Sequence, residues 1–459
     1  MPAPPPREPL TVATIFTYGI GQLGLSMMGL AVYVHLAKFY TDVALLSPAL
    51  VGLAVMLGRV SDAFLDPAMG FVSDSTHTRW GRRRPYLLLS ALPAAVCFYL
   101  LWAPPPALGS GMLFAYFTAT YLFLFIFWTV GTIPYHSWGA EITLDYHERT
   151  RLVAVRELFS VSGIVLGTLG PPIALHFFPD ARTAFARMAL VFGVIGTATI
   201  LIPVLAIRER PEFQGREPLP PWQGVQLTLR NRSFRTLLAT YFFTSVAGAV
   251  PAPLIPYMAD YVLETPTLLP AYILVYLMVG IVSLPLWIRL SHRLGKKDTW
   301  SISLVIAVVV SGAMFLLGPG RSTLFFVLLA CGGVSLGGSM ALPASMQADV
   351  IDQDELETGK RREGAYFGLW ALATKAAAAM TLFVALQILD WTGYVPNVTQ
   401  TPRVVLAMRL LYSVFPGLCY LAALAMFQRY PITQAVHADI QHRIASRSAA
   451  AGPEAAQVA

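Results

Sequence analysis

Asp62 and Asp66 stand four residues apart in the apolar segment Gly58-Arg59-Val60-Ser61-Asp62-Ala63-Phe64-Leu65-Asp66-Pro67. On a helix, both carboxylates share one face. Two close carboxylates repel, so the pair is tolerated when it shares a cation or when one member holds a proton. Pro67 lacks an N–H, which deprives the Ala63 carbonyl of its helical partner and opens it to a cation or water. The plainer alternative is that the acids only pair with Arg59 or a neighbouring helix. Lys375 lies within Ala371-Leu372-Ala373-Thr374-Lys375-Ala376-Ala377-Ala378. It is too deep in an apolar stretch to reach water easily and needs a counter-charge, for which the acid pair is the first candidate. Arg156 and Glu157 are the next charged candidates, with a pair at the membrane edge as the alternative.

A softer constellation follows. Trp128, Thr132, Tyr135 and His136 fall on one side of a helix by three- and four-residue spacing. Trp128 is suited to stacking on the apolar face of a sugar or other ring. Thr132 and His136 can hydrogen-bond a solute or ligate a cation, and His136 can carry a proton. Ordinary helix packing competes with this reading for Trp128 and Tyr135, and equally for Tyr366 and Trp370. Two clusters mix both signs at helix ends and read as gates or latches. One is Asp74 with Arg79, Gly81 and Arg82, and the other is Asp349 and Asp352 with Arg361; Arg149 adds a further cytoplasmic charge.

The elements that must position these residues are membrane spans. The chain has 459 residues, of which 56% are hydrophobic and 12% charged. That charged share is about half the ~25% usual for soluble proteins, so lipid must solvate much of the surface. About twenty apolar residues cross a bilayer core as helix. By that ruler the spans are 12–37, 47–72, 85–103, 112–137, 153–176, 183–207, 235–260, 268–290, 299–318, 322–348, 364–390 and 404–428. Basic residues follow the even-numbered spans: Arg79 and Arg82 to Arg84, Arg149 and Arg151, Arg208 and Arg210, Arg293 with Lys296 and Lys297, and Lys360 to Arg362. The odd-numbered exits are poor in them, which predicts both termini on the cytoplasmic side. The net charge of +7 therefore reads as topology, and no recognition element for nucleic acid is visible. Cys97, Cys331 and Cys419 lie far apart in apolar segments, with no metal or disulfide spacing.

The proline-rich stretch after Arg208 divides the chain six spans from six. Arg79-Trp80-Gly81-Arg82-Arg83 matches Arg293-Leu294-Gly295-Lys296-Lys297, each in the second-to-third loop of its half. Two parallel six-helix repeats produce such a match. The expected organisation is an N-terminus over 1–11, a first bundle over 12–207, a linker over 208–234, a second bundle over 235–428 and a partly disordered cytoplasmic tail over 429–459. An intramembrane enzyme holding a metal diphosphate on Asp62-x-x-x-Asp66 would need a second such motif, and the repeat argues against it.

Asp62-x-x-x-Asp66-Pro67, followed by Gly70, Asp74 and Arg79-Trp80-Gly81-Arg82-Arg83-Arg84-Pro85, resembles the glycoside–pentoside–hexuronide:cation symporters, the family of the bacterial melibiose permeases. Tyr40-Thr41-Asp42, Ile133-Pro134-Tyr135, Leu144-Asp145-x-x-Glu148-Arg149, Ala348-Asp349-x-x-Asp352 and Lys375 extend the match from span one to span eleven. The resemblance implies an all-α membrane protein of the major facilitator fold, with 12 transmembrane helices in two six-helix bundles. It also implies cation-coupled symport by alternating access, with Na+ or H+ on Asp62 and Asp66 and with Lys375 close by. At the family's span-four acid this chain has Thr132, which can ligate Na+ but brings no charge. At the family's galactoside-binding Lys-Asp pair it has Leu25-Ser26, and His136 stands at a tryptophan position. Arg156 is retained. The coupling machinery is kept while the solute site is rewritten: Ser26, Trp128, His136, Arg156, Tyr366 and Trp370 are the expected solute residues. The expected solute is a small molecule, a sugar or glycoside, with a lysophospholipid as the alternative. No catalytic role and no cofactor beyond the coupling ion are expected, and the expected form is a monomer in a bacterial inner membrane.

Overall fold

The structure is a computed structural model that describes residues 10–143, 145–209, 228–358 and 363–450. Among these, 12 helices are long and apolar enough to cross a membrane. They are α1 (Val12–Val43), α2 (Pro48–Ser75), α3 (Arg84–Trp102), α4 (Ser110–Ile142), α5 (Tyr146–Phe177) and α6 (Ala181–Ala206). The others are α7 (Arg232–Val262), α8 (Leu269–Leu294), α9 (Lys296–Leu316), α10 (Ser322–Thr358), α11 (Glu363–Thr392) and α12 (Pro402–Phe427). A further helix, α13 (Gln434–Ala450), lies in the tail expected to be partly disordered. The expected linker residues 210–227 and tail residues 451–459 lie outside the described residues.

Local chemistry sets the helix starts. Asp145 caps α5 by accepting from the Glu148 N–H at 2.9 Å, and Asn231 caps α7 by accepting from the Phe234 N–H at 3.0 Å. Asp180 caps α6, accepting from the amide and hydroxyl of Thr183 at 2.8 and 2.6 Å. Those bonds hold its carboxyl below the usual carboxylate range.

Several helices outrun the apolar stretches that predict them. α1 runs on past Ala37 because its polar groups find partners: Lys38 pairs with Asp42 one turn on, the Thr41 hydroxyl donates to Asp42 at 2.7 Å, and the Tyr40 hydroxyl donates to the Leu101 carbonyl of α3 at 2.8 Å. α10 continues past Ala348 because Asp349 and Asp352 find partners, described below.

Packing divides the chain into two compact units, Met1–Leu219 with Leu386–Val398, and Pro220–Ala385 with Thr399–Ala459. In the first, α2 and α3 pack on α4, and α6 packs on α3 and α1; in the second, α8 and α9 pack on α10, and α12 packs on α9 and α7. Each pairing recurs six helices later, as an internal repeat requires. A second mark of the repeat lies at the ends of α1 and α7. Phe39–Val43 and Met258–Val262 each widen into a π-turn, with Ala44 N–H to Phe39 O and Leu263 N–H to Met258 O both 2.9 Å. Each turn then ends on a residue with positive φ, Leu45 at 62° and Glu264 at 57°.

Glycines bring α1 onto its neighbours. A Cβ at Gly163 of α5 would lie 2.3 Å from the Leu23 carbonyl oxygen, and one at Gly24 would lie 2.6 Å from the Gly196 Cα of α6. Small residues allow this close helix approach where lipid supplies no hydrophobic drive for association. The core of the first unit gathers Tyr18, Leu25, Leu87, Tyr135, Trp138 and Val204. That of the second gathers Phe234, Trp300, Leu342, Met346, Tyr366 and Phe427.

Candidate cation and solute site

α2 and α4 run side by side, and Gly58 sets their distance: a Cβ there would lie 2.3 Å from the Tyr121 ring. Along the shared face, Gly58 of α2 meets Tyr121 of α4, and two turns on in α4 Thr129 meets Asp62 and Asp66. Arg59 places its guanidinium 4.9 Å from the centre of the Phe125 ring. Asp62 is buried and Asp66 half-buried. Between them lies the buried Thr129, whose Oγ1 is 2.8 Å from Asp62 Oδ1 and 3.0 Å from Asp66 Oδ1.

One hydroxyl carries one hydrogen. It can be shared between the two carboxylates but cannot neutralise them, and a proton on one carboxyl or a cation among the oxygens relieves the repulsion of the pair. Pro67 lies inside the helix, as the freed Ala63 carbonyl requires. The oxygens of Asp62, Asp66 and Thr129, with the Ala63 carbonyl nearby in the same turn, are the hard donors that Na+ takes and equally a seat for one proton.

Sequence reasoning put Thr132 at this point. The structure brings in Thr129, one turn earlier, while the Thr132 hydroxyl donates to the Trp128 carbonyl at 2.9 Å within α4. The signal for Thr129 was its spacing of four and eight from Phe125 and Tyr121, the row that meets the acids.

The expected solute residues of the first unit cluster on α1, α4 and α5. Ser26 Oγ is 2.8 Å from Ser160 Oγ and accepts from Gln22 Nε2 at 3.1 Å. His136 Nε2 is 3.3 Å from Gln22 Oε1. Trp128 lies over Gly29, where an added Cβ would be 3.4 Å from the indole. Arg156 donates twice to one oxygen of Glu157, Oε1, at 2.6 Å through Nη2 and 3.2 Å through Nε. Tyr135 stacks on Tyr18 at 4.7 Å, and each hydroxyl donates to the other's backbone carbonyl. That residue is packing.

In the second unit, Trp370 stacks on Tyr241 at 3.8 Å, and the Thr374 hydroxyl donates to the Trp370 carbonyl at 3.0 Å. Lys375 follows, half-buried on α11. Tyr366 is fully buried edge-on to Phe234 in the apolar core, where it packs.

The mixed-sign clusters form two networks. In the first unit, Arg83 pairs with Asp74 and reaches Glu141 at 2.8 Å, and Arg82 reaches Glu141 at 2.6 Å. Glu209 accepts from the backbone N–H groups of Arg82, Arg83 and Arg84 at 2.7, 2.8 and 2.6 Å, covering the α3 N-terminus. Gly81, at φ +106°, makes the turn beneath it. In the second unit, Lys296 Nζ is 2.6 and 2.7 Å from the Asp349 oxygens. His437 of α13 is 3.4 Å from Asp349 and 3.2 Å from Asp352, and Gln441 donates to Asp352 at 2.6 Å. Burial and the nearby Asp349 carboxylate push the Tyr430 hydroxyl's pKa well up. Arg79 and Arg149 are exposed, and Arg361 lies outside the described residues. Glu141, Glu209 and His437 join these networks unannounced by any motif, whereas Lys296 belongs to the repeated basic loop.

At the far end of α1, Asp42 accepts from the Tyr394 hydroxyl, and Asn397 Nδ2 donates to the Asp42 carbonyl at 2.7 Å. The segment after α11 thus belongs to the first unit's packing.

Residues 17–434 match the family described as MFS/sugar transport protein. A glucuronide carrier protein homolog of Escherichia coli (strain K12) is 28% identical over 451 residues, 96% of this chain and 97% of its own. A sodium-dependent lysophosphatidylcholine symporter 1-A of Danio rerio is 27% identical over 476 residues, 93% of this chain and 87% of its own. In fold, the chain is similar to a D-xylose-proton symporter with a TM-score of 0.68 at 15% identity, over 92% of this chain and 98% of that one. Twelve membrane helices in an internally repeated order, intramembrane acids and a match over nearly the whole length agree: the chain belongs to the MFS/sugar transport protein family and is a multi-pass membrane transporter of the major facilitator fold.

Proposed function

We propose that the protein couples entry of H+ or Na+ at Asp62, Asp66 and Thr129 to symport of a sugar or glycoside held beside Ser26, Trp128, His136 and Arg156. The observation that carries this reading is the Thr129 hydroxyl between two intramembrane carboxylates, which gathers three oxygens at one point. A proton or a cation among them relieves the repulsion of the acids. Cation binding neutralises the acids and permits solute binding, so that only the empty or doubly loaded carrier switches easily between inward and outward access.

The networks around Asp74, Arg82 and Glu141 and around Asp349, Asp352 and Lys296 act as cytoplasmic latches that are made and broken during the cycle, with Arg79, Arg149 and Arg361 as further latch charges. Both ends of the chain are cytoplasmic, the membrane is a bacterial inner membrane, the working unit is a monomer and the protein has no catalytic activity. The lysophosphatidylcholine symporter of Danio rerio, similar over 93% of this chain, supports a lysophospholipid as the second reading of the solute.

Flux in proteoliposomes tests the proposal. Labelled mono- and disaccharides, hexuronides and a lysophospholipid are offered under imposed Na+ or H+ gradients. Gradient-driven sugar uptake names the ion and supports the reading. Movement of the lysophospholipid alone would replace the solute while leaving the coupling site in place.

A further inference from the structure

Four polar side chains that belong to no ion pair form one continuous string across three helices of the first unit. His136 of α4 meets Gln22 of α1 at 3.3 Å, Gln22 meets Ser26 at 3.1 Å, and Ser26 meets Ser160 of α5 at 2.8 Å. His136 is exposed and the other three are half-buried. Polar groups at membrane depth that keep such exposure face a wet cavity, because lipid would leave their remaining donors and acceptors unpaired.

The string is held in register by packing. A Cβ at Gly163, three residues beyond Ser160, would lie 2.3 Å from the Leu23 carbonyl oxygen and 2.9 Å from the Ser26 Cβ, so α5 must touch α1 here. On α1, Gln22, Ser26 and Gly29 succeed one another at one-turn spacing, and the Trp128 indole lies against Gly29. A polar string therefore ends beside an aromatic plate.

The hydrogens on the string can be assigned. Gln22 Oε1 only accepts, so His136 Nε2 carries the hydrogen of that contact, and in the neutral imidazole Nδ1 keeps its lone pair. Gln22 Nε2 donates one hydrogen to Ser26 and retains a second. Ser26 and Ser160 share a contact that needs one hydrogen of their two. The string thus offers an acceptor at His136 and donors at Gln22 and the serines. Hydroxyl groups, which donate and accept, match such a mixed set; a carboxylate, which only accepts, uses half of it. Among the described residues, the cation near the string, Arg156, already donates twice to Glu157 Oε1, so a negative solute would have to displace that carboxylate or lie against it.

We infer that Gln22 and Ser160, with Ser26 and His136, read the hydroxyls of an uncharged glycoside whose apolar face rests on Trp128, and that they set specificity against anionic sugars. The inference rests on the sugar reading proposed above and adds the solute's charge class and two specificity residues.

The test is binding by the purified full-length protein, followed as a shift of thermal stability. Three probes are used: a neutral methyl glycoside, the uronide with the same ring and a lysophosphatidylcholine. The wild type should bind the neutral glycoside at least tenfold more tightly than its uronide. Gln22→Leu and Ser160→Ala should each weaken glycoside binding roughly 3- to 10-fold, the loss of one neutral hydrogen bond. The double variant should lose little more, since the string acts as a unit. Both variants should keep the stabilisation that the coupling cation gives through Asp62 and Asp66, which reports a folded carrier. Equal or tighter binding of the uronide overturns the charge class, and the wild-type protein alone decides this even if a variant fails to fold. Glycoside binding unchanged in both variants overturns the string while sparing the sugar reading. Response to the lysophospholipid alone overturns both.

Discussion

Glu209 and Gly81 make a sharp energetic prediction. Three successive backbone N–H groups at the start of α3 donate to one carboxylate, at 2.7, 2.8 and 2.6 Å. A hydrogen bond to a charged group contributes roughly 1.5–3 kcal/mol. One carboxylate shared by three amides at a partly exposed helix start contributes less than three such bonds, and Glu209→Ala should cost about 2 kcal/mol. Gly81 lies directly under the carboxylate. At φ +106° any side chain is strained, at a cost on the order of 1–3 kcal/mol. Its Cβ would also stand 2.4 Å from Glu209 Cδ and evict the carboxylate. Gly81→Ala should therefore cost about 4 kcal/mol, the strain plus the lost contact. The double variant should also cost about 4 rather than about 6 kcal/mol, because the contact can be lost only once. Melting midpoints of the four proteins in one detergent check this, each kcal/mol moving a chain of this size by roughly 1–2 °C. Strict additivity, or a Glu209→Ala midpoint equal to wild type, would refute the reasoning.

Three more predictions follow from single contacts. Gly163→Val should cost about 3 kcal/mol by overpacking α1 against α5 and should cut uptake along with the melting midpoint, because Ser26 and Ser160 are pushed apart. His437→Ala removes the imidazole contacts with Asp349 and Asp352 and leaves Gln441 on Asp352; at about 1 kcal/mol lost, limited trypsin digestion should cleave at Arg443 roughly fivefold faster. Asp180 has a depressed folded pKa, so its cap contributes fully above the unfolded value near pH 3.9 and is lost as pH falls through the lower folded value. The midpoint difference between wild type and Asp180→Ala should be flat above about pH 5 and close below about pH 4.

Much of the frame was legible because lipid imposes a simple rule: about twenty apolar residues per span. The acid row of α2 was legible too, since charges in such a stretch demand a reason. The third oxygen was harder. Thr129 and Thr132 are both one-turn neighbours of the span-four surface, and only the meeting of Gly58 with Tyr121 sets which of them faces the acids. Helix ends failed where polar groups pay for one another across elements, as Asp349 does with Lys296 and His437. Glu209 sits at the edge of a proline-rich linker that carries no periodicity, so nothing in the order of residues points to the α3 N-terminus. The hydrogen-bonded string of Gln22, Ser26, His136 and Ser160 draws on three helices, and no local spacing encodes it.

The central claim is that Asp62, Asp66 and Thr129 hold the coupling cation. Its most direct test compares concentrative uptake with solute exchange in proteoliposomes for wild type, Asp62→Asn and Asp66→Asn. The account predicts that both variants lose gradient-driven accumulation while either can retain exchange, since the amide keeps the shape but cannot carry the ion's counter-charge. Full gradient-driven accumulation by either variant would contradict it.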